Sequence, residues 1–193
     1  MIYHPDNARA FVCCMPDFRV RPELIQWLVQ VAHIPFERIA YVQHPRLSSC
    51  VYNRAVATAL QMSGPGAHLL FADADIVPIN ATAPLLLADA DVANAIYQTE
   101  VEEAFDPPDA FHSGLWRTTR EVLEAIEPPW FAWPVNADGT EITGCPCGYF
   151  AAKVRAAGFT IAKAGFVQHR PKSRPPRSSA VTPSGQTRPG RPS

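Results

Sequence analysis

Along the chain, short apolar runs alternate with stretches whose apolar residues recur at helical spacing. The apolar runs predict strands over residues 10–15, 39–42, 69–72 and 91–97, with two further short candidates over 159–162 and 165–168. Between them, Leu24, Ile25, Leu28, Val29 and Ala32 mark a helix over 22–32, with Pro22 and Glu23 suited to its first turn. Val51, Ala55, Ala59 and Met62 mark a second helix over 48–62, with Ser48 and Ser49 as candidate caps. Shorter helices are predicted over 83–90, from Thr118 or Thr119 through 126, and over 150–157, the last stopped by Gly158 at its C′ position.

Strand, helix, strand in succession predicts an α/β fold with a mostly parallel central sheet flanked by helices. Residues 1–169 are expected to form one domain, large enough for a substantial core. From residue 170 the pattern stops and Pro, Ser, Gly and Arg dominate. A segment of that composition buries too little apolar surface to offset the entropy of ordering, so 170–193 is expected to be a disordered tail.

Charge sharpens this division. The tail carries six basic and no acidic residues, which leaves 11 basic against 18 acidic over 1–169, a net of −7. An acidic body argues against nucleic acid as a partner of the fold. No apolar run approaches the roughly 18 residues that span a bilayer, so no transmembrane segment is expected. The polar first nine residues and an odd count of five cysteines predict a cytoplasmic chain with free thiols. Cys145-Pro-Cys147 has one intervening residue where structural zinc sites have two to four, so a zinc site is disfavoured.

The most informative chemistry stands at the end of the strand over 69–72, where Asp73-Ala-Asp75 follows a buried apolar run. The C-terminal edge of strands is where open α/β sheets bind ligands. Two carboxylates this close need a cation to share them, and Mg²⁺ or Mn²⁺ carrying a phosphate is one. His169 ends the ordered pattern, and neutral imidazole is a competent Mn²⁺ ligand. Arg54, near the start of the second helix, is either a solvated residue or a phosphate or base contact. Trp130, in the Pro-rich aromatic stretch 128–134, either stacks on a sugar ring or closes the core. Gly114, in Phe111-His-Ser-Gly-Leu-Trp116, permits close approach of backbone to a ligand.

The order of these pieces resembles the GT-A fold of glycosyltransferases, and more narrowly the small family 2-like members. The resemblance is carried by the first strand ending in Met15-Pro16, by Asn53-Arg54-Ala55, and by Leu70-Phe-Ala-Asp-Ala-Asp-Ile-Val77. It continues through His112-Ser-Gly-Leu-Trp-Arg117, Pro129-Trp-Phe131, the stretch from Phe150 to Phe159, and His169, covering residues 10–169. It implies a nucleotide-diphospho-sugar donor, an acceptor it does not identify, and Mn²⁺ or Mg²⁺ as cofactor. Asp73 would then contact the nucleoside, Asp75 would hold the metal together with His169, and Asp17, Arg54, Ser113, Gly114 and Trp130 would line the donor site. One departure stands out. Where inverting members carry Glu-Asp before the last helix, this chain has Pro146-Cys147, so either Glu141 reaches in as the catalytic carboxylate, or the reaction is retaining, or the protein does not transfer sugar. Two other classes compete. A catalytically inactive GT-A-like binding or interaction protein, with the basic tail as its interaction element, fits the missing acidic pair. A metal-dependent phosphatase or phosphotransferase fits Asp-x-Asp, although its usual Asp-x-Asp lies near the chain start.

Overall fold

The computed structural model describes residues 3–14, 19–44, 48–98 and 111–170. Asp17, the acidic stretch within 99–110 and the tail beyond Arg170 lie outside the described residues. A seven-stranded sheet runs in the order β2-β1-β3-β6-β5-β7-β4. Its strands are β1 (Ala8–Cys14), β2 (Ile39–Gln43), β3 (His68–Asp73), β4 (Ile76–Pro78), β5 (Val92–Tyr97), β6 (Leu115–Thr119) and β7 (Ile161–His169). Helices α1 (Pro22–Gln30), α2 (Ser48–Met62), α3 (Pro84–Leu87), α4 (Arg120–Glu124) and α5 (Pro146–Ala156) connect them.

Both faces of the sheet are covered, which is why the central strands read as continuous apolar runs. On one face Ala10, Val12, Leu70, Ala72 and Leu115 pack against Leu24, Trp27 and Leu28 of α1 and Leu85 of α3. On the other, Phe11, Leu69, Phe71 and Trp116 pack against Val51, Ala55 and Ala59 of α2, Val122 of α4, and Phe150 and Val154 of α5. Phe71 stacks on Trp116 with centroids 4.3 Å apart, and Phe131 on Phe150 at 4.7 Å. Adjacent Cys13 and Cys14 fall on opposite faces, as strand alternation requires.

The expectation of a mostly parallel sheet is corrected: the sheet is mixed. β1 pairs in parallel with β2 and β3, and β5 with β7, but β6 runs antiparallel to both β3 and β5, and β4 antiparallel to β7. The physical reason lies in Arg117, Thr118 and Thr119, three polar residues that are fully buried within β6. The Arg117 guanidinium donates to the carbonyls of Leu85 (2.8 Å) and Ala88, which close the end of α3, and Thr118 Oγ1 donates to the Asp91 carbonyl (3.1 Å). Backbone carbonyls accept from Arg117 Nε and Nη2 and from Thr118 Oγ1, so the strand needs no apolar run to announce it.

Two further differences bear on the site. The strand candidates over 159–162 and 165–168 are one strand, β7, whose register against β5 shifts between Asn94 and Ile96. And α5 begins at Pro146, four residues before the predicted start, with Cys145 as its N-cap: the thiol accepts from the Gly148 N–H at 3.2 Å.

Candidate functional site

The site grows from the end of β3. Asp73 is the last residue of that strand; after a two-residue turn the chain enters β4, the edge strand of the sheet, where Pro78 is tolerated. β4 pairs with the end of β7 in the register Ile76↔His169, Val77↔Gln168, Pro78↔Val167. The Arg170 N–H extends this ladder by donating to the Asp75 carbonyl at 3.0 Å. Two residues 94 apart in sequence therefore meet: His169 Nε2 lies 3.2 Å from Asp75 Oδ2. Both side chains keep about a third of their surface exposed, at 38% and 35%, so the pair faces solvent.

Asp73 is placed differently. Its backbone N–H donates to the Gly114 carbonyl at 2.7 Å, and its Oδ2 accepts from the Tyr52 hydroxyl of α2 at 2.9 Å. Burial, joined by the charge of Asp75, pushes its carboxyl up to about 7, against the Tyr52 hydrogen bond and the His169 charge. Asp75 moves the other way. Burial opposes ionisation there, but the hydrogen bond and charge of His169 and the nearby Arg21 hold its carboxyl below the ordinary range. Burial and the Asp73 charge push the Tyr52 phenol well up, so its hydroxyl remains a donor.

Behind these carboxylates lies a second layer. Cys147 Sγ donates to Ser113 Oγ at 3.3 Å, and Ser113 lies near enough to Tyr52 to temper the rise of its phenol. Burial raises the Cys147 thiol above its usual range, so the position resembling the acidic pair holds a neutral thiol. Tyr97 lies between His112 and His169, with ring centroids 5.0 and 5.5 Å away. Its phenol covers Gly114: a Cβ there would stand 2.1 Å from the Tyr97 hydroxyl. The absence of a side chain at 114 lets this ring reach the end of β3.

The structure thus brings together Asp73, Asp75, His169, Ser113 and Gly114. It does not bring Arg54, Trp130 or Glu141 to the carboxylates. Arg54 is exposed and its Nη1 donates to the Gln43 carbonyl at 3.3 Å. Residues two apart on a helix point some 200° apart, so with Tyr52 on Asp73, Arg54 faces elsewhere. Trp130 packs against the core and its indole N–H donates to the Leu123 carbonyl at 3.1 Å. Glu141 is exposed in the turn over 136–141, where its N–H donates to Asn136 Oδ1 at 3.0 Å and its carbonyl accepts from the Asn136 N–H at 3.0 Å. Asp17 lies outside the described residues.

Sequence reasoning missed Tyr52, Tyr97 and the role of Cys147 as a hydrogen-bond partner. Tyr52 had a signal: it directly precedes the Asn53-Arg54 pair that the resemblance singles out. Tyr97 had none, because its place depends on the packing of β5 beside β7.

The donor chemistry can be tested against a divalent ion. Asp75 and His169 offer one carboxylate oxygen and one imidazole nitrogen on a solvent-facing edge. Mn²⁺ accepts both donor types; imidazole suits Mg²⁺ less well. Among the described residues, no group of three His, Cys, Asp or Glu side chains converges as a metal site. Also among the described residues, no helix is long and apolar enough to cross a membrane.

No protein-family model matches the chain. No curated protein matches it either. Among solved structures it is similar to A197 from STIV, with a TM-score of 0.51 and 20% identity over 83% of this chain and 81% of that one. It also aligns with a Drosophila β-1,4-galactosyltransferase 7 mutant crystallised with manganese, UDP-Gal and xylobiose, with a TM-score of 0.46 and 14% identity over 95% of this chain and 82% of that one. The likeness to A197 is one of fold.

Proposed function

We propose that this chain binds a nucleotide-diphospho-sugar together with Mn²⁺ or Mg²⁺ at the end of β3 and transfers the sugar to an acceptor. The observation that carries the reading is the β4–β7 register, which sets His169 against Asp75 beside Asp73. Asp75 and His169 would hold the ion, with diphosphate oxygens and water completing its shell, as Mg²⁺ and Mn²⁺ sites with few protein ligands require. The ion would supply positive charge to the diphosphate leaving group. Asp73, fixed by Tyr52, would meet the nucleoside, and Ser113 and Gly114 would border the sugar. Asp17 and Arg54 remain donor contacts in this reading, and Trp130 a sugar-stacking candidate, none of them placed at the carboxylates by the described geometry.

A second reading, donor binding without transfer, is favoured by one observation. The position resembling the catalytic acidic pair holds Cys147, a thiol raised by burial and bonded to Ser113, while Glu141 stands exposed in a separate turn. Transfer needs a base for the acceptor hydroxyl. Titration calorimetry with UDP and GDP, with Mn²⁺ and then with EDTA, tests the binding shared by both readings. Metal-dependent binding is expected, and equal binding in EDTA would overturn it. Release of free sugar or glycosylated product from UDP- or GDP-sugars then separates transfer from binding alone.

A further inference from the structure

We propose that Tyr52 and Asn53 are positioning residues: Asn53 clamps α2 to the loop at Phe131, and the clamped helix holds the Tyr52 hydroxyl on Asp73. The inference rests on the reading of Asp73 as a donor-binding carboxylate. Asn53 makes both amide bonds to one residue: Nδ2 donates to the Phe131 carbonyl at 2.6 Å, and Oδ1 accepts from the Phe131 N–H at 3.0 Å. Phe131 is itself buried and immobilised, stacked on Phe150 at 4.7 Å with planes 11° apart. The Tyr52 ring packs on Phe131 at 5.0 Å, and its hydroxyl donates to Asp73 Oδ2 at 2.9 Å.

Each part of this arrangement has a reason. The terminal torsion of an aspartate is broad, so rotamer preference alone does not fix the plane of the Asp73 carboxylate. A donor on Oδ2 does fix it and leaves Oδ1 to meet a ligand. That donor sits at the end of a long lever: the Tyr52 hydroxyl lies roughly 9 Å from the α2 axis, so a helix rotation of about 10° displaces it by about 1.5 Å. A displacement of that size breaks a 2.9 Å hydrogen bond. Asn53, on the same turn and bonded to backbone at both ends of its amide, resists that rotation.

The test combines Tyr52→Phe, Asn53→Ala and the double variant. In ligand-free protein, the Asp73 ¹³Cγ resonance in Asn53→Ala is expected to move to the position it takes in Tyr52→Phe, which keeps the ring and removes only the hydroxyl. In Mn²⁺-UDP titrations each single variant is expected to weaken binding about tenfold, the loss of one charge-assisted hydrogen bond. The double variant is expected to bind no more weakly than Asn53→Ala alone, since both act through one bond. Additive losses, or an Asp73 resonance left at its wild-type position in Asn53→Ala, would overturn the proposal. So would wild-type binding that Tyr52→Phe leaves intact. Wild-type protein that does not bind Mn²⁺-UDP would instead overturn the proposed function, while the ligand-free resonance still decides the positioning.

Discussion

Replacing Gly165 with alanine tests whether the shifted register of β7 holds up the site. Gly165 has φ +75°, in the left-handed region, and it is buried. A Cβ there would stand 2.7 Å from the Thr82 carbonyl oxygen and 2.9 Å from that of Ala81. Both are backbone atoms of the turn Asn80–Thr82, which Thr82 ties to β7 by donating to the Phe166 carbonyl. Neither obstacle is a side chain that can swing away. A left-handed alanine costs about 1–2 kcal/mol. Overpacking against fixed neighbours costs about 1–3 kcal/mol more. A total near 3 kcal/mol corresponds to a fall of roughly 6–12 °C in Tm for a domain of this size.

Gly158 supplies the control. Its φ is +84°, yet an added Cβ would meet nothing within 4 Å, so Gly158→Ala carries only the conformational cost, about 1–2 kcal/mol. Thermal and urea unfolding of the two variants beside wild type give the comparison. Equal losses would refute the reasoning, because the clash with Thr82 and Ala81 would then contribute nothing.

The pH dependence of stability should carry the signature of Asp73. Its carboxyl is raised from 3.8 to about 7, so the folded chain holds more protons than the unfolded one between those values, and the penalty of ionising it grows as pH rises from about 4 to about 7. Asp75, shifted down, contributes in the opposite sense: its stabilisation is present at neutral pH and is lost on acidification. Asp73→Asn is therefore expected to gain stability relative to wild type steadily across pH 4 to 7 in urea titrations; a constant difference would contradict the assignment. Glu141→Gln, on an exposed turn, is expected to change stability by less than about 0.5 kcal/mol and to leave Mn²⁺-UDP affinity unchanged by calorimetry. A large loss of affinity would place that carboxylate at the donor after all.

Much of the fold was legible where burial is two-sided and apolar. The runs that became β1, β3 and β5 are largely apolar because helices cover both faces, the run that became β2 is short and half-buried at the sheet edge, and α1 and α2 show their buried stripes in the spacing of Leu24, Leu28, Val51, Ala55 and Ala59. What was illegible has a common cause: polar groups satisfied by distant backbone. Arg117 reads as a loop residue until the Leu85 and Ala88 carbonyls receive it, and with β6 unseen the sheet looks mostly parallel. β4 is three residues long and exists only through its pairing with β7.

The site divides in the same way. Asp73 and Asp75 announce themselves because charge after a buried strand is conspicuous, and His169 because it ends the last apolar stretch. Their meeting is a matter of register, which local pattern does not encode. Arg54 and Trp130 were singled out by the resemblance and by their places near a helix start and in an aromatic loop, and Glu141 as a carboxylate near the missing acidic pair. Their side chains or backbone turned out to be engaged by Gln43, Leu123 and Asn136.

In the proposed function Asp75 and His169 act together as the protein's part of a metal site. Mn²⁺ binding followed by water-proton relaxation, in wild type, Asp75→Ala and His169→Ala at pH 7.5 with and without UDP, tests it most directly. UDP-enhanced Mn²⁺ binding is expected in wild type, with comparable losses in both variants, each still folded. Loss in Asp75→Ala with wild-type binding in His169→Ala, or binding unaffected by either change, would contradict it.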